Sequence, residues 1–274
     1  AQHPQASQLH AAAEWIAKNT DAKFGYLTEA ANTVGGYLAN AIPERGANAQ
    51  QVFSQARKAY LLLNAEPKLD SNNPQAARNA LEQAEMVVVM SAFQQGADYA
   101  DVMLPIAPFY ETSGTFVNCE GRAQSFNATV KPLGDARPAW KVLRVLGNLL
   151  ELSGFDYESS EAIRAEVLGS SSLDQLELTT RLQNLAHLPV QAQSEEVDMG
   201  AERIADVPIY FTDAIVRRAQ SLQQTVDAQP PKANISSVLA DRIGVNNGDS
   251  VHVKQGEGSA ILMVMVDKKL PANV

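Results

Sequence analysis

The side chains most able to do chemistry lie together in the segment ETSGTFVNCEGRAQSF, which spans Glu111–Phe126 and holds the single cysteine of the chain, Cys119. A thiol can act as a nucleophile when a base lies beside it. Cys119 is flanked by Asn118 and Glu120, and a neighbouring carboxylate disfavours the reactive thiolate. We therefore favour a structural Cys119 over a nucleophile.

The same segment has the pattern of a β-hairpin. Thr115–Asn118 and Arg122–Phe126 are both strand-like, and Glu120 and Gly121 between them suit a tight turn. Gly121 is expected to adopt a positive φ, which glycine allows without a steric penalty. The simpler interpretation is thus a well-specified hairpin.

The charges of this segment leave two interpretations open. Glu111, Glu120 and Arg122 are close enough in such a hairpin to form ion pairs with a structural role. Alternatively, the segment is a loop that contacts a ligand at the carboxyl edge of a sheet, because it follows the strand-like residues 100–104.

The sequence gives little support for a metal site or a phosphate-binding site. The four histidines are scattered without metal-ligand spacing; they are His3, His10, His187 and His252. The chain contains neither of the two common glycine-rich phosphate-binding motifs. Gly35 and Gly36 could let the backbone approach a phosphate, and a tight helix contact explains them equally well.

The sequence before this segment predicts alternating helices and strands, which would position it. Residues 59–63 are predicted to form a buried strand from their length and apolar composition, and residues 86–90 form a continuous β-branched run, as strands buried on both faces do. Residues 100–104, closed by Pro105, are predicted to form a further strand. The run at 24–27 is read as a further short strand. Helices are predicted between the runs, so right-handed crossovers and a parallel sheet are expected.

The pattern changes after the segment, and three domains are expected. Helices are predicted at 138–152, 159–188 and 212–225, a long surface loop at 189–208, and a short helix at 233–245, followed by two strands joined by Gly256-Glu257-Gly258. The expected domains are an α/β domain, a helical segment with a linker, and the start of a β-barrel module, covering residues 1–155, 156–229 and 230–274.

Composition excludes several classes of protein. With 274 residues and 45% hydrophobic residues, the chain can bury a substantial core. Its net charge of −9 argues against a nucleic-acid-binding protein. No apolar run approaches the roughly 20 residues of a membrane-spanning helix. The chain begins with Ala1, which we interpret as the start of an internal fragment or processed product.

The segment and the strand before it resemble a known family. Ala100–Pro105 followed by the ordered pattern E-x-x-G-T-F-x-N-x-E-G-R-x-Q at Glu111–Gln124 is similar to the signature of the molybdopterin-dinucleotide oxidoreductases. The phrases at 58–70 and 208–225 resemble one branch, the large iron–sulfur subunit of bacterial NADH:quinone oxidoreductase, respiratory complex I. Residues 239–271 resemble the start of a double-psi β-barrel.

The resemblance implies an α/β fold with a parallel, Rossmann-like sheet, an added hairpin, a helical segment and a partial double-psi β-barrel tail. It also implies that the motif is vestigial in the complex I branch, which lacks the pterin. The motif residues are Glu111, Gly114, Asn118, Glu120, Gly121 and Arg122. No catalytic residue, metal ligand or cofactor is expected in this chain, because the iron–sulfur clusters of that branch lie in a cysteine-rich N-terminal part.

The leading hypothesis is therefore a non-catalytic structural module of complex I on the cytoplasmic face of the bacterial inner membrane. Its expected partners are the N-terminal part of its own subunit and other subunits of the peripheral arm. One alternative is a fragment of an active molybdopterin oxidoreductase of the formate dehydrogenase or nitrate reductase type. Another is a generic α/β nucleotide-binding domain, which the missing phosphate-binding motifs disfavour.

Overall fold

A computed structural model describes residues 6–43, 46–169, 201, 203–204, 207–256 and 258–274. The chain divides into two compact units. The first contains the described residues between 23 and 169, and the second contains residues 6–22 together with those from 201 onward. The domain boundaries expected after residues 155 and 229 stay predictions.

The first unit is built on a parallel three-stranded sheet. Its strands are β1 (Ala59–Leu63), β2 (Met86–Ser91) and β3 (Val102–Pro105), in the order β1-β2-β3. Leu61 is opposite Val88, which is opposite Val102. All three predicted strands are confirmed, and their β-branched and apolar composition explains why they form. A separate pair of strands, β4 (Gly114–Val117) and β5 (Ala123–Phe126), follows.

The helices of this unit are mostly short. They are α2 (Thr33–Leu38), α3 (Ala49–Ser54), α4 (Pro67–Asp70), α5 (Pro74–Glu82), α6 (Ala139–Leu149) and α7 (Ser160–Leu168). The start of α5 is capped, since the Asn73 side chain accepts a hydrogen bond from the Ala76 amide and Pro74 occupies the first turn. The remainder of the helical region predicted at 159–188 lies outside the described residues.

One predicted strand of this unit is wrong. Residues 24–27 have no regular secondary structure, and Leu27 is 94% exposed. The aromatic rings of Phe24 and Tyr26 pack edge to face with a centroid distance of 4.8 Å. An apolar run this short does not specify a strand unless a neighbouring strand pairs with it.

The main core lies on one side of the sheet. Tyr60 and Leu62 of β1 and Val87 and Val89 of β2 pack with Ala80 and Leu81 of α5. Val52 and Phe53 of α3 pack against the same cluster. Full burial of each valine or leucine side chain stabilises the fold by about 1.5–3 kcal/mol. These contacts attach α3 and α5 to a single face of the sheet.

The second unit contains α1 (Ala6–Thr20), α8 (Gln220–Gln223), α9 (Ser237–Ile243), β6 (Ala233–Ser236), β7 (Ser250–Gln255) and β8 (Gly258–Asp267). Its sheet has the order β6-β8-β7, with β6 parallel and β7 antiparallel to β8. The two predicted terminal strands are thus confirmed. These described strands form an open sheet, and Val264 lies buried at its centre.

Two helix predictions for this unit need correction. Residues 212–225 do not form one helix, because Ala219 is extended at ψ 93° and separates the 3₁₀ turn Val216–Arg218 from α8. The side-chain Nε2 of Gln223 donates hydrogen bonds to the carbonyl oxygens of Tyr210 and Val216 and stabilises this broken arrangement. The start of the helix predicted at 233–245 is instead β6. Most of the loop predicted at 189–208 lies outside the described residues.

The helices in the described part of the chain do not include one that is long and apolar enough to cross a membrane.

Candidate functional site

The predicted hairpin is present as the two-stranded antiparallel sheet of β4 and β5. Gly114 of β4 is opposite Phe126 of β5, and a Cβ atom on Gly114 would lie 2.6 Å from the Phe126 ring. Glycine at 114 therefore lets the ring of the opposite strand cover the backbone.

Asn118 organises the turn between the two strands. Its side-chain oxygen accepts hydrogen bonds from the Glu120 amide at 3.0 Å and the Arg122 amide at 2.9 Å. Its own amide donates to the Arg122 carbonyl, and its carbonyl accepts from the Gly121 amide. Gly121 has a φ of 81°, which confirms the predicted positive φ. A short loop that ends in such a glycine is a common hairpin connection.

Replacing Gly121 with valine is expected to destabilise the chain by about 1–2 kcal/mol, because a β-branched residue is strained at positive φ. Urea unfolding measures the change. The matched control is Cys119→Ser in the same loop, since Cys119 is exposed and serine is close to it in size. Equal losses in both variants would contradict the structural role assigned to Gly121.

Glu111 has a structural contact at the base of the hairpin. It ends the 3₁₀ turn Phe109–Glu111, and its carboxylate accepts a hydrogen bond of 3.1 Å from the Leu133 amide. The Thr129 amide donates to the Tyr110 carbonyl next to it. Glu111 therefore connects the turn before β4 to the chain that follows β5.

The predicted ion pairs of this segment are wrong. The Glu120 and Arg122 side chains are exposed, and the ion pairs found among the described residues do not include them. The turn is held instead by backbone amides on the Asn118 side chain, so it requires no charge pairing.

The hairpin is held between α2 and α7 by contacts that no pattern in the sequence indicates. Val117 is buried with Val34 of α2 and Leu168 of α7. Its amide donates to the Asn32 side-chain oxygen at 2.8 Å. Two further hydrogen bonds reach helix α7, and they join Ser113 to Ser160 and Arg164 to Ser125.

Gly35 belongs to this attachment through its contact with the Asn32 side chain. A Cβ atom on Gly35 would lie 2.1 Å from the Asn32 side-chain oxygen that receives the Val117 amide. A Cβ atom on Gly36 would meet nothing within 4 Å. The absence of a side chain at Gly35 therefore leaves room for the Asn32 side chain at the start of α2, which binds the Val117 amide.

The carboxyl edge of the parallel sheet carries mainly acidic groups. Glu66 follows β1 and is 3% exposed, and its amide donates to the Asp70 carboxylate at 2.7 Å. Asp98, in the connection after β2, pairs with Lys68. The Lys68 ammonium lies 5.7 Å from the centre of the Tyr99 ring.

The pKa values at this edge follow from burial and pairing. Burial raises the pKa of Tyr99, and the negative charges of Asp98, Glu66 and Asp70 raise it further. The hydrogen bond from Lys68 lowers the pKa of Asp98. The edge is thus acidic at neutral pH, and its nearest lysine is already paired. Within the described residues, no group of three or more His, Cys, Asp or Glu side chains is placed to hold a metal ion.

Comparisons with known proteins place the chain in a family. Residues 1–149 match the family model described as molybdopterin oxidoreductase. A Staphylococcus aureus protein named "Putative formate dehydrogenase" is 30% identical over 230 residues, which cover 70% of this chain and 23% of the relative. A Staphylococcus haemolyticus protein of the same name is 34% identical over 99 residues, covering 36% and 10%.

A solved structure agrees on the fold. Acetylene hydratase from Pelobacter acetylenicus superposes with a TM-score of 0.53 at 17% identity, over 83% of this chain and 38% of that protein. Identity this low supports the α/β fold alone. The chain spans less than a quarter of the length of the two staphylococcal relatives. The family match covers more than half of the chain, which therefore belongs to the molybdopterin oxidoreductase family.

Proposed function

We propose that this chain is a non-catalytic structural module of a larger redox subunit, the large iron–sulfur subunit of NADH:quinone oxidoreductase. In that complex, electrons pass from NADH to quinone through groups outside this chain, and proton pumping is coupled to the transfer. The resemblance of residues 58–70 and 208–225 to the complex I branch supports this choice within the family.

The observation that carries the proposal is how the hairpin uses its motif residues. Glu111 and Asn118 direct their side-chain oxygens to backbone amides of the chain itself. Gly114 gives room to the Phe126 ring, and Gly121 allows the turn. These four motif residues therefore build the hairpin, and the side chains of the other two, Glu120 and Arg122, are exposed at its tip beside Cys119.

The charges at the carboxyl edge of the sheet are the second observation that supports the proposal. A molybdopterin dinucleotide carries an anionic diphosphate, which is bound by cations or by free backbone amides. Here the negative charges of Asp98, Glu66 and Asp70 raise the pKa of Tyr99, and Lys68 is paired with Asp98. These side chains do not fit a diphosphate, so we derive no reaction step through the cofactor.

The relatives favour a second candidate, a fragment of an active formate dehydrogenase. Its specific support is the 30% identity over 230 residues with proteins named "Putative formate dehydrogenase". This similarity extends beyond the 149 residues of the family model. The identity alone does not distinguish an active enzyme from a relative that has lost its cofactor.

Metal and pterin analysis separates the two candidates. The full-length polypeptide, with an affinity tag, is purified from a host grown with ample molybdate. We expect no stoichiometric molybdenum or tungsten and no fluorescent pterin after acid oxidation, while a formate dehydrogenase prepared in the same way gives both. Stoichiometric metal together with pterin would overturn the structural-module proposal and show an active molybdopterin enzyme, the class to which the second candidate belongs.

Co-purification tests the claim that the chain is part of NADH:quinone oxidoreductase. We expect the tagged polypeptide to retain NADH:quinone oxidoreductase activity through gentle purification from solubilised membranes. Deletion of the coding sequence for residues 1–274 is expected to reduce that activity in membranes by at least tenfold, because the complex would lose a part of its peripheral arm. Unchanged activity after the deletion would contradict a role in this complex.

A further inference from the structure

The first half of α6 carries a cluster of basic residues that the proposed function does not use. Residues 121–150 contain five Lys and Arg side chains and a single acidic one, Asp135, in a chain whose net charge is −9. Arg137 lies just before α6, and Lys141 and Arg144 lie within its first two turns. We call these three residues the basic cluster.

The basic cluster has no carboxylate partner in the part of the chain that the structure describes, where the ion pairs join other residues. Arg137 and Lys141 are exposed, and Arg144 is half-buried. The Arg137 guanidinium donates to two backbone carbonyl oxygens, and the Lys141 ammonium lies 5.3 Å from the centre of the Trp140 ring. Carbonyl groups and an aromatic ring orient a cation without neutralising it, so the three positive charges remain uncompensated within these residues.

These charges do not stabilise α6 itself. The amino end of a helix carries a partial positive charge, so acidic side chains stabilise it and cations are unfavourable there. The helix α6 contains no Asp or Glu and has Lys141 in its first turn. Like charges three positions apart on a helix, as on Lys141 and Arg144, also repel each other. The basic cluster therefore costs stability in the isolated chain, and an anionic partner would remove that cost.

Two buried nitrogen atoms of α6 also lack a hydrogen-bond acceptor among the described residues. They are Nε1 of Trp140 and Nε of Arg144, on side chains one helical turn apart. Both groups can only donate hydrogen bonds, and a buried donor without an acceptor is costly. The surface around Lys141 thus supplies donors and positive charge, and the groups that complement it are negatively charged acceptors such as carboxylates.

The apolar residues next to the basic cluster indicate a polypeptide partner. Val145 and Leu149 lie one and two turns after Lys141 on the same side of α6, and they are 54% and 76% exposed. A nucleic acid or a free phosphate would meet the cations but would leave these apolar side chains uncovered. A helix of a partner offers both kinds of group, and its acidic side chains one turn apart are about 5–6 Å from each other, as Lys141 and Arg144 are on α6.

We propose that α6 docks an acidic helix of a separate polypeptide, with carboxylates on the basic cluster and apolar side chains on Val145 and Leu149. This inference rests on the proposed function only in taking the chain to work in an assembly with other polypeptides. Complementary charge speeds the encounter of partners that meet by diffusion, whereas a connected segment is already held nearby. A second copy in symmetric contact would place like charges together, and an anionic membrane would repel a chain of net charge −9.

Zero-length cross-linking of the full-length polypeptide within its native assembly tests the proposal. A carbodiimide activates a carboxyl group, and a lysine amine in contact with that group then forms an amide and releases the corresponding urea. We expect mass spectrometry to find Lys141 joined to an Asp or Glu of one other subunit. The matched control is Lys232, which is also exposed and is in none of the ion pairs of the described residues. We expect no cross-link from Lys232 to the same peptide.

Other cross-linking outcomes overturn the inference. These are a cross-link from Lys141 to its own polypeptide or to a second copy, and the absence of any cross-link from Lys141 in an intact assembly. A Lys141→Arg variant keeps the charge but cannot form the amide, so it is expected to lose the cross-link and keep its partner subunits. The outcome does not depend on metal, pterin or NADH oxidation, so the inference can fail while the proposed function holds, and the reverse.

Charge reversal gives an independent measurement. The full-length polypeptide is added to the assembly purified from a strain that lacks it, and the Kd is measured. Lys141→Glu is expected to weaken this binding by at least about tenfold, while Lys232→Glu and Lys141→Arg stay within twofold of the unmodified protein. The Tm of the Lys141→Glu polypeptide alone is not expected to fall, because a carboxylate in the first turn suits the helix end. Equal weakening by both Glu variants would contradict docking at α6.

Two further probes distinguish a polypeptide from other anionic partners. We expect the full-length polypeptide not to bind vesicles of equal parts phosphatidylglycerol and phosphatidylcholine, and inorganic phosphate not to displace it from the assembly. Vesicle binding that Lys141→Glu abolishes would overturn the inference in favour of a membrane surface. Displacement by phosphate that requires Lys141 would overturn it in favour of a small-anion site.

Discussion

Replacing Gly147 with alanine is expected to lower the free energy of unfolding by about 1–3 kcal/mol. Gly147 is buried in α6, and a Cβ atom there would lie 2.2 Å from Cγ and 2.3 Å from Cδ1 of Phe155. Cγ is close to the Phe155 backbone, so the ring cannot swing clear without moving the chain. The gain in helix propensity of about 1 kcal/mol offsets only part of this cost.

Tryptophan fluorescence can report this unfolding selectively. The chain contains two tryptophans, and Trp140 lies in α6, two turns before Gly147. In a Trp15→Phe background, Trp140 is the sole reporter, and urea titrations of the Gly147→Ala variant and its parent give the difference in free energy. A Gly147→Ala variant as stable as its parent would show that Phe155 does not pack against α6 in this way.

Replacing Gly35 with alanine is the second substitution with a large expected effect, also about 1–3 kcal/mol. The new methyl group would displace the Asn32 side chain, whose oxygen lies 2.1 Å from the added Cβ. The buried Val117 amide then loses its acceptor. An unsatisfied buried amide is costly because it has left water without gaining a partner.

The adjacent glycine supplies the control. Gly36→Ala lies in the same helix and meets nothing within 4 Å, so we expect it to be neutral or to stabilise by up to about 1 kcal/mol. A double-mutant cycle with Asn32→Ala isolates the cause. If the clash with Asn32 is responsible, Gly35→Ala costs little once Asn32 is already alanine, and additive losses would refute this explanation.

The parts of the fold that could be predicted are those with strong local patterns. The strands β1 and β2 are continuous apolar runs, and α5 begins with a capping asparagine and a proline. The hairpin was predictable for the same reason, since Gly121 ends a short polar turn between two strand-like runs. In each case, residues that are neighbours in sequence determine the local structure.

The predictions failed where distant contacts decide the structure. The helix predicted at 212–225 breaks at Ala219, where the Gln223 side chain binds carbonyl oxygens of the preceding turns. The apolar run at 24–27 remains irregular because no described strand pairs with it. Local propensity cannot anticipate such effects, since tertiary contacts readily override it.

The candidate site likewise combines features that the local sequence predicts with features that depend on distant contacts. The turn at Asn118 and Gly121 follows from the local sequence, but the attachment of the hairpin does not. The hydrogen bond from the Val117 amide to Asn32 joins residues separated by 85 positions, and the bond from Arg164 to Ser125 joins residues separated by 39. No local pattern marks Asn32 or Arg164 as a hairpin contact, so only the fold reveals their role.

The apolar character of both faces of the parallel sheet also affects the risk of aggregation while the protein is synthesised. At about 5–20 residues per second, several seconds pass between the synthesis of β1 and that of β3. An unpaired apolar strand is prone to aggregate during such an interval. The strands β1 and β2 are therefore at risk of aggregation until β3 is made and pairs with β2.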